Sequence, residues 1–95
     1  MAIMMVLEVP GGTIEQYERA NEIMGITGDD TAPDGLVGHV AAKTDDGMLI
    51  VDVWESQEKL DAFFRDRLGD ALHQAGVPEA QPRIYPVHNG IRGSV

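Results

Sequence analysis

Runs of apolar and polar residues divide the chain into four predicted strands and two predicted helices. The central run, Gly47 to His73, is an apolar strand ending at Trp54 that leads directly into an amphipathic helix. Ser56 is a suitable N-cap for that helix, and Gly76 is a suitable stop. The apolar positions of the helix recur every three or four residues and predict one buried face, formed by Leu60, Phe63, Phe64, Leu68, Ala71, Leu72 and Ala75.

The N-terminal part predicts a strand followed by a helix. Ile3 to Val9 is an apolar run closed by a Pro-Gly-Gly turn, which is typical of a buried strand. Thr13 and Gln16 have the spacing of a capping box, so a helix is expected to begin at about Ile14 and to end at Gly25. The apolar face of this helix would consist of Ile14, Tyr17, Ala20 or Asn21, and Met24.

The middle and the end of the chain predict a loop, a hairpin and a last strand. Gly25 to Gly35 has no periodicity and is rich in turn formers, so it is either a lid over a site or a mobile connection. Leu36 to Thr44 and Met48 to Glu55 flank Asp45-Asp46-Gly47, a strong hairpin signal. Pro82 to His88 reads as the last strand, and its prolines favour an edge of the sheet.

The resulting order, βαββαβ, is that of the ferredoxin-like α+β fold, a four-stranded antiparallel sheet with two helices on one face. Residues 1 to 95 are expected to form a single domain of this kind, with Asn89 to Val95 as a small polar tail. The other face of the sheet has no cover within the chain. If that face is apolar it requires a partner, and two such sheets packed together would give a barrel-like dimer.

Composition and charge narrow the classes of function. With 43% hydrophobic and 24% charged residues, the chain has the composition of an ordinary globular protein. A net charge of −9 argues against a nucleic-acid surface and against an anionic membrane surface. Cysteine is absent, which fits a reducing compartment, and the apolar opening Ala2 to Leu7 is too short to span a membrane. We therefore expect a cytoplasmic protein.

The run Val53-Trp54-Glu55-Ser56, followed by a helix with Leu60, Phe63 and Phe64, resembles the dimeric α+β barrel superfamily, and most of all its antibiotic biosynthesis monooxygenase-like branch. The resemblance implies a homodimer with a small, largely apolar pocket between the sheet and the helices of each subunit. For the monooxygenase members it implies oxygenation of an electron-rich aromatic polyketide without metal or flavin. The superfamily also includes haem-degrading enzymes, polyketide cyclases and isomerases, so the fold does not fix the activity.

His39 and Asp52 are the main catalytic candidates, and their relationship depends on the hairpin register. With a two-residue turn at Asp46-Gly47, His39 lies opposite Trp54 and shares a face with Asp52, about 7 to 8 Å away on the diagonal. A type I turn with Gly47 in a bulge shifts the register by one residue and sends His39 and Asp52 to opposite faces. The sequence leaves both registers open.

If the two residues share a face, the carboxylate of Asp52 would orient the imidazole of His39 and make it a better general base. Such a base suits the abstraction of a phenolic or enolic proton. The competing interpretation is a histidine satisfied at a dimer interface and an aspartate at a polar rim. Trp54 would either form a flat apolar wall with its indole N–H available as a donor, or be simple core.

Further side chains are candidates for contact with a substrate. Tyr17 and Tyr85 carry hydroxyls that could hydrogen-bond a substrate oxygen. Phe63 and Phe64 would line a pocket or, as the competing interpretation, pack in the core. His88, in the last predicted strand, would face the pocket or lie exposed at the surface.

His73 falls where the haem-degrading members of the superfamily carry their proximal haem ligand. Two departures count against haem binding: Phe63 stands where those enzymes have a porphyrin-distorting Trp, and Leu7 stands in the first strand where they have Asn. At about 100° per residue, His73 also points away from the apolar face, unless Gly69 kinks the helix.

The leading hypothesis is a homodimeric, cofactor-independent monooxygenase acting on an aromatic polyketide or quinol-like small molecule, with no metal. The alternatives are a non-catalytic dimeric module that binds a small molecule or has a structural role, and a cyclase or isomerase that uses the same histidine without oxygen. The catalytic residues would be His39 and Asp52, and the substrate-binding residues Trp54, Tyr17, Phe63 and His88.

Overall fold

The fold, taken from a computed structural model, is described for residues 1–91 and 93. The predicted polar tail, Asn89 to Val95, is covered only in part, because Arg92, Ser94 and Val95 lie outside the described residues. The strands are β1 (Ile3–Pro10), β2 (Leu36–Lys43), β3 (Gly47–Trp54) and β4 (Arg83–Pro86). The helices are α1 (Ile14–Met24), α2 (Gln57–Phe63) and α3 (Gly69–Gln74), with a 3-10 turn at Asp29–Thr31 and a π-helical turn at Phe64–Leu68.

The four strands form one antiparallel sheet in the order β2-β3-β1-β4, and the helices cover one of its faces. This architecture confirms the predicted ferredoxin-like α+β fold and the edge position of β4. The last strand is shorter than predicted, because regular pairing with β1 begins at Arg83 and ends at Pro86. One further bond, from the Val87 N–H to the Ala2 carbonyl at 3.0 Å, continues the contact.

The core lies between the sheet and the helices. Alternate residues of β1 face the helices and are less than a tenth exposed, as the strand pattern predicts. Trp54, at the end of β3, is 1% exposed and is the largest fully buried side chain. The core cluster consists of Ile3, Met5, Leu7, Val9, Met48, Trp54 and Leu60. None of the helices among residues 1–91 is long and apolar enough to cross a membrane.

The helix caps predicted from the sequence are present. Thr13 and Gln16 form the capping box of α1, and Gly25 ends that helix with a φ of +73°. The Ser56 hydroxyl accepts from the Lys59 N–H at 3.2 Å and begins α2. The buried face of α1 differs from the prediction at Ile14, which is 42% exposed.

The hairpin register is neither of the two predicted ones. The turn residues are Asp45 and Asp46, since the Thr44 N–H donates to the Gly47 carbonyl at 2.8 Å. His39 therefore lies directly opposite Asp52 instead of diagonal to it. This register differs by two residues from the one based on an Asp46-Gly47 turn, and a shift of two keeps every side chain on its face.

The position of Gly47 explains the register. Gly47 is buried, and a Cβ at this position would lie 2.1 Å from the Val9 carbonyl oxygen. The Gly11 N–H donates to the Asp46 carbonyl at 2.7 Å, so the hairpin end is bonded to the end of β1. Glycine is thus required here for close approach of two backbones and not for a left-handed turn conformation.

The second helical region contains one π-helical turn between α2 and α3. The Gly69 N–H donates to the Phe64 carbonyl, five residues back. Phe63 and Leu68 are also five apart, a spacing that a regular helix of about 3.6 residues per turn places on different faces. The additional residue of the π turn brings both side chains to the sheet side, and it leaves Phe64 50% exposed, contrary to its predicted place in the buried face.

The opposite face of the sheet is apolar and is not covered by any described part of the chain. On the edge strand β2, Val40 is 65% exposed, and its partner Val51 lies on the central strand β3. A Glu8 to Arg83 ion pair at 3.1 Å borders this face. We call this uncovered face of the sheet the open face. Its apolar residues on strands β1, β2 and β3 are Met4, Val6, Val40, Ala42, Leu49, Val51 and Val53.

Candidate active site

A cavity of about 540 Å³ lies between the helix-covered face of the sheet, the helices and the loop after α1. Its volume is in the usual range for a small-molecule site. Most of its wall is apolar, with Met5 and Leu7 from β1, Met24 from α1, and Phe63 and Leu72 from the second helical region. An apolar, partly aromatic molecule of moderate size matches this lining.

Four polar side chains form a continuous chain of hydrogen bonds along one wall of the cavity. The Trp54 indole N–H donates to Asp52 Oδ2 at 3.1 Å. Asp52 Oδ1 lies 2.6 Å from His39 Nδ1. His39 Nε2, in turn, lies 2.6 Å from the hydroxyl oxygen of Tyr17. The order Trp54, Asp52, His39, Tyr17 therefore runs from the buried core to the cavity.

The strand geometry places three of these residues together. Asp52 and Trp54 are two residues apart on β3 and so point to the same face. His39 lies directly across from Asp52 on β2, where paired side chains are closest. A β-bulge at Val37, between the Leu36 and Gly38 pairs, absorbs one extra residue before His39 and preserves its orientation toward the helices.

Tyr17 reaches the pair from α1. Ala20, one turn further along this helix, is 3% exposed, and its small side chain allows close packing of the helix. The planes of the Tyr17 and His39 rings differ by 3°, with centroids 5.9 Å apart. Since the hydroxyl oxygen and Nε2 lie in these two nearly parallel planes and are only 2.6 Å apart, the rings are joined at their edges by a hydrogen bond and are not stacked face to face.

Asp52 is 5% exposed, yet both of its oxygens have partners. A buried carboxylate without partners would cost several kcal/mol, on the order of the penalties for isolated buried charge. Throughout the described part of the chain, every buried side-chain nitrogen or oxygen has a hydrogen-bond partner. The polar chain is therefore a complete network in which Asp52 holds the imidazole in one orientation.

The network also assigns the protons. A carboxylate only accepts and a neutral imidazole has one donor and one acceptor, so neutral His39 carries its hydrogen on Nδ1 and donates it to Asp52. Nε2 then accepts from the Tyr17 hydroxyl. The side chain of His39 is 33% exposed, whereas that of Asp52 is 7% exposed, so the imidazole lies where the buried network meets the cavity.

The charge around the cavity is negative. Within residues 1–91, no Lys or Arg lines it, whereas Asp29 and Asp52 do. Lys59, near the loop, is directed to Asp34 at 2.5 Å instead. The hydrogen bond that Lys59 donates to Asp34 and the negative charge of that carboxylate raise the pKa of Lys59 above the ordinary value for lysine.

The loop after α1 forms part of the cavity wall, through Ile26, Ala32 and Pro33. Thr31 holds it in shape, because its hydroxyl oxygen accepts from the Thr27 N–H at 2.7 Å and from the Gly28 N–H at 3.1 Å. The loop Gly25 to Gly35 thus borders the cavity as well as connecting α1 to β2, and its role as a lid stays a prediction.

Tyr17, His39, Asp52, Trp54 and Phe63 all lie at the cavity, as the sequence analysis expects. The indole N–H of Trp54 is an exception to its predicted role as a ligand donor, because Asp52 accepts it. Phe63 both lines the cavity and packs against Trp54, with ring centroids 5.3 Å apart.

The structure does not bring the other candidates to the cavity. His88 is exposed and lies outside the lining, so its substrate-binding role stays a prediction without geometric support. Tyr85 is 45% exposed on the open face. His73 is exposed on α3, as helical periodicity predicts, and does not line the cavity.

The contact of Tyr17 with His39 and the contribution of Leu68 to the cavity were not found from the sequence. The first joins a helix to the edge strand β2 and leaves no local signal. The second does have a signal, the five-residue interval between Phe63 and Leu68 followed by Gly69.

Comparison with solved structures gives the same fold. A proposed antibiotic biosynthesis monooxygenase from Chloroflexus aurantiacus J-10-fl is 19% identical, with a TM-score of 0.65 over 98% of this chain and 100% of that one. A second, from Deinococcus radiodurans, is 16% identical, with a TM-score of 0.61 over 100% of both chains. SnoaB, a cofactor-independent oxygenase from Streptomyces nogalater, is 10% identical, with a TM-score of 0.63 over 97% of both chains.

No protein-family profile and no curated protein matches the chain by sequence. The structural likeness therefore shows the fold: this chain folds like the two proposed antibiotic biosynthesis monooxygenases and like SnoaB. The resemblance seen in the Trp-Glu-Ser entry to the second helix is confirmed at that level.

Proposed function

We propose that this protein is a cofactor-independent monooxygenase that oxidises an uncharged, enolisable aromatic polyketide or a quinol-like small molecule. The observation that carries the proposal is the His39 and Asp52 pair, bonded at 2.6 Å beside an apolar cavity of about 540 Å³. A base oriented by a buried carboxylate is suited to removing a weakly acidic proton. The oxygenase activity named for SnoaB, which shares the fold, is compatible with this chemistry.

The proposed reaction converts a methylene group, activated by an adjacent aromatic ring or carbonyl, into a carbonyl group. His39 accepts a proton, and the resulting carbanion is delocalised over the aromatic system and reduces dioxygen. One oxygen atom ends on the carbon, the other leaves as water with the two hydrogens of the methylene group, and all the electrons come from the substrate. Asp52 stabilises the imidazolium that forms during the proton transfer.

The proposal includes a homodimer in the cytoplasm. The open face is apolar across β1, β2 and β3, and large uncovered apolar faces are typical of interfaces. A second copy of the same sheet is the occupant that matches this face in size and character. Nucleic acid and membrane partners do not fit a chain with a net charge of −9.

The test uses anthrone, an uncharged tricyclic ketone with an acidic methylene group, and measures oxygen uptake together with anthraquinone formation. Wild type is expected to consume one molecule of oxygen per molecule of product. His39→Ala and Asp52→Asn should lower the rate by about a hundredfold or more, the usual contribution of general base catalysis. His73→Ala, which removes an exposed histidine outside the cavity, is the matched control and should retain the wild-type rate.

Unchanged oxygen uptake in His39→Ala and Asp52→Asn would contradict the assigned roles. Exchange of the methylene protons with solvent, without oxygen uptake, would point instead to a cyclase or isomerase that uses the same base. Binding of the compound with neither exchange nor uptake would favour a non-catalytic binding module.

A further inference from the structure

The proposed base has no free nitrogen. Nδ1 of His39 is engaged by Asp52 at 2.6 Å, and Nε2 is engaged by the Tyr17 hydroxyl at the same distance. A substrate proton cannot reach Nε2 directly unless the Tyr17 hydroxyl moves away. Tyr17 lies on α1, between the N-terminal capping box and the buried Ala20, so its backbone belongs to a regular, capped helix.

The Tyr17 hydroxyl can hydrogen-bond to His39 and to a bound molecule at the same time. It donates its hydrogen to His39 Nε2, and its oxygen keeps lone pairs with which it can accept another hydrogen bond. Tyr17 also lines the cavity, so those lone pairs are available to a bound molecule. The hydroxyl thus lies between the imidazole and the space that a substrate would occupy.

We propose that Tyr17 is the catalytic residue that contacts the substrate, and that it relays the substrate proton to His39. The inference rests on the proposed function, because it assigns the path of the proton in that reaction. The substrate C–H or O–H bond breaks, and its proton goes to the Tyr17 oxygen while the hydroxyl proton moves to His39 Nε2. Tyr17 ends unchanged, the substrate has become an anion, and His39 has become an imidazolium bonded to Asp52.

The rest of the network fits such a relay. Trp54 holds the second oxygen of Asp52 at 3.1 Å, so the carboxylate cannot rotate to follow the proton. The charges that form are the substrate anion and the imidazolium, and the carboxylate lies on the far side of the imidazole. Tyr17 separates the substrate anion from His39 by one hydroxyl group, and after the transfer it donates to the anion the hydrogen bond that it donated to Nε2 before.

The first measurement is proton abstraction without oxygen. Exchange of the anthrone methylene protons with deuterated solvent, followed by NMR under nitrogen, reports the proton transfer alone. Tyr17→Phe removes only the hydroxyl and should slow exchange by about a hundredfold or more. Tyr85→Phe is the matched control, because the other tyrosine of the chain lies on the open face, and it should exchange at the wild-type rate.

The second measurement needs no substrate. Nitrogen-15 NMR of the imidazole should show His39 with its hydrogen on Nδ1 in wild type and in Tyr17→Phe, since Asp52 is present in both. The Nε2 resonance should shift in Tyr17→Phe, because that nitrogen loses its donor, and it should remain in place in Tyr85→Phe. Far-UV circular dichroism confirms that each variant is folded.

The outcomes separate the two proposals. Full exchange in Tyr17→Phe, with His39→Ala inactive, would overturn the relay and leave the oxygenase proposal standing. Exchange that depends on Tyr17, without oxygen uptake in wild type, would support the relay and overturn the oxygenase proposal. If wild type binds anthrone but shows neither exchange nor uptake, both proposals are overturned, and an unchanged Nε2 resonance in Tyr17→Phe would overturn the relay on its own.

Discussion

Trp54 and Asp52 are bonded to each other within one strand, since the indole N–H donates to the carboxylate oxygen Oδ2 at 3.1 Å. The two residues are 1% and 5% exposed, so the bond lies in the core beneath the cavity. An aromatic residue that the sequence marks as a wall of the pocket thus has a second role, because it holds the carboxylate that orients His39.

Trp54→Phe should therefore lower the free energy of unfolding by about 2 to 4 kcal/mol, from the lost bond to a charged acceptor and from the space left by the smaller ring. Trp54 is the chain's one tryptophan, so urea unfolding has to be followed by far-UV circular dichroism and not by fluorescence. A double-mutant cycle with Asp52→Ala, which leaves no acceptor for the indole hydrogen, isolates the pair. A coupling free energy near zero would show that the hydrogen bond contributes nothing to stability.

The π-helical turn predicts an unusual tolerance to deletion. Removing Asp66, which is exposed within the turn, should convert the turn to regular α-helix and keep Leu68 and α3 in place. The free energy of unfolding should then change by less than about 1 kcal/mol, because only a surface residue is lost. Thermal or urea unfolding of the purified variant measures this change.

Deletion of Asp70 is the matched control. It also removes an exposed acidic residue of the same helical region, but from the regular helix α3, so it turns the following Ala71 and Leu72 away from the core. A loss of about 2 to 5 kcal/mol is expected, as for truncation of core residues. Equal effects of the two deletions would mean that the turn does not absorb an extra residue.

The cavity should select against negative charge. No Lys or Arg among its described lining residues is available to pair with a carboxylate, and Asp52 and Asp29 would repel one. The methyl ester of anthracene-9-carboxylic acid should bind at least about tenfold more tightly than the free carboxylate, a difference of about 1.4 kcal/mol. Quenching of Trp54 fluorescence provides the titration, because the indole lines the cavity.

An uncharged compound of the same ring system, 9-methylanthracene, separates the effect of charge from that of the rings. It should bind about as tightly as the ester. Comparable affinities for the ester and the carboxylate would show that a positive group reaches the ligand, and would remove the argument for an uncharged substrate.

Local signals in the sequence predicted the elements, their caps and their order. The capping box at Thr13, the cap at Ser56 and the alternation along β1 depend on near neighbours in the chain, which is why they could be read directly. The hairpin register could not, because it is decided by the contact of Gly47 with the end of β1, residues far apart in sequence. One of the two open registers nonetheless places the hairpin side chains on the correct faces of the sheet, because a register shift of two residues keeps each side chain on its face.

The candidate site was predicted in part for the same reason. His39, Asp52 and Trp54 share a face as a consequence of strand periodicity, which a sequence displays. The bond between Tyr17 and His39 depends on how α1 packs over the edge strand, which no local pattern encodes. That bond changes the proposed chemistry most, because it occupies Nε2 of His39, the nitrogen that does not bond to Asp52.

The last prediction concerns dimerisation of two chains through their open faces. Val40 is 65% exposed in the single chain, so Val40→Lys should not disturb the isolated fold. In a dimer packed through the open faces, the same lysine would be buried without a partner, which is strongly unfavourable. Sedimentation should therefore show a dimer for wild type and a monomer for Val40→Lys.

Phe64→Lys, at a residue that is 50% exposed on the helical side, is the matched control and should remain dimeric. A monomeric wild type, or a dimer that persists in Val40→Lys, would exclude the open face as the interface.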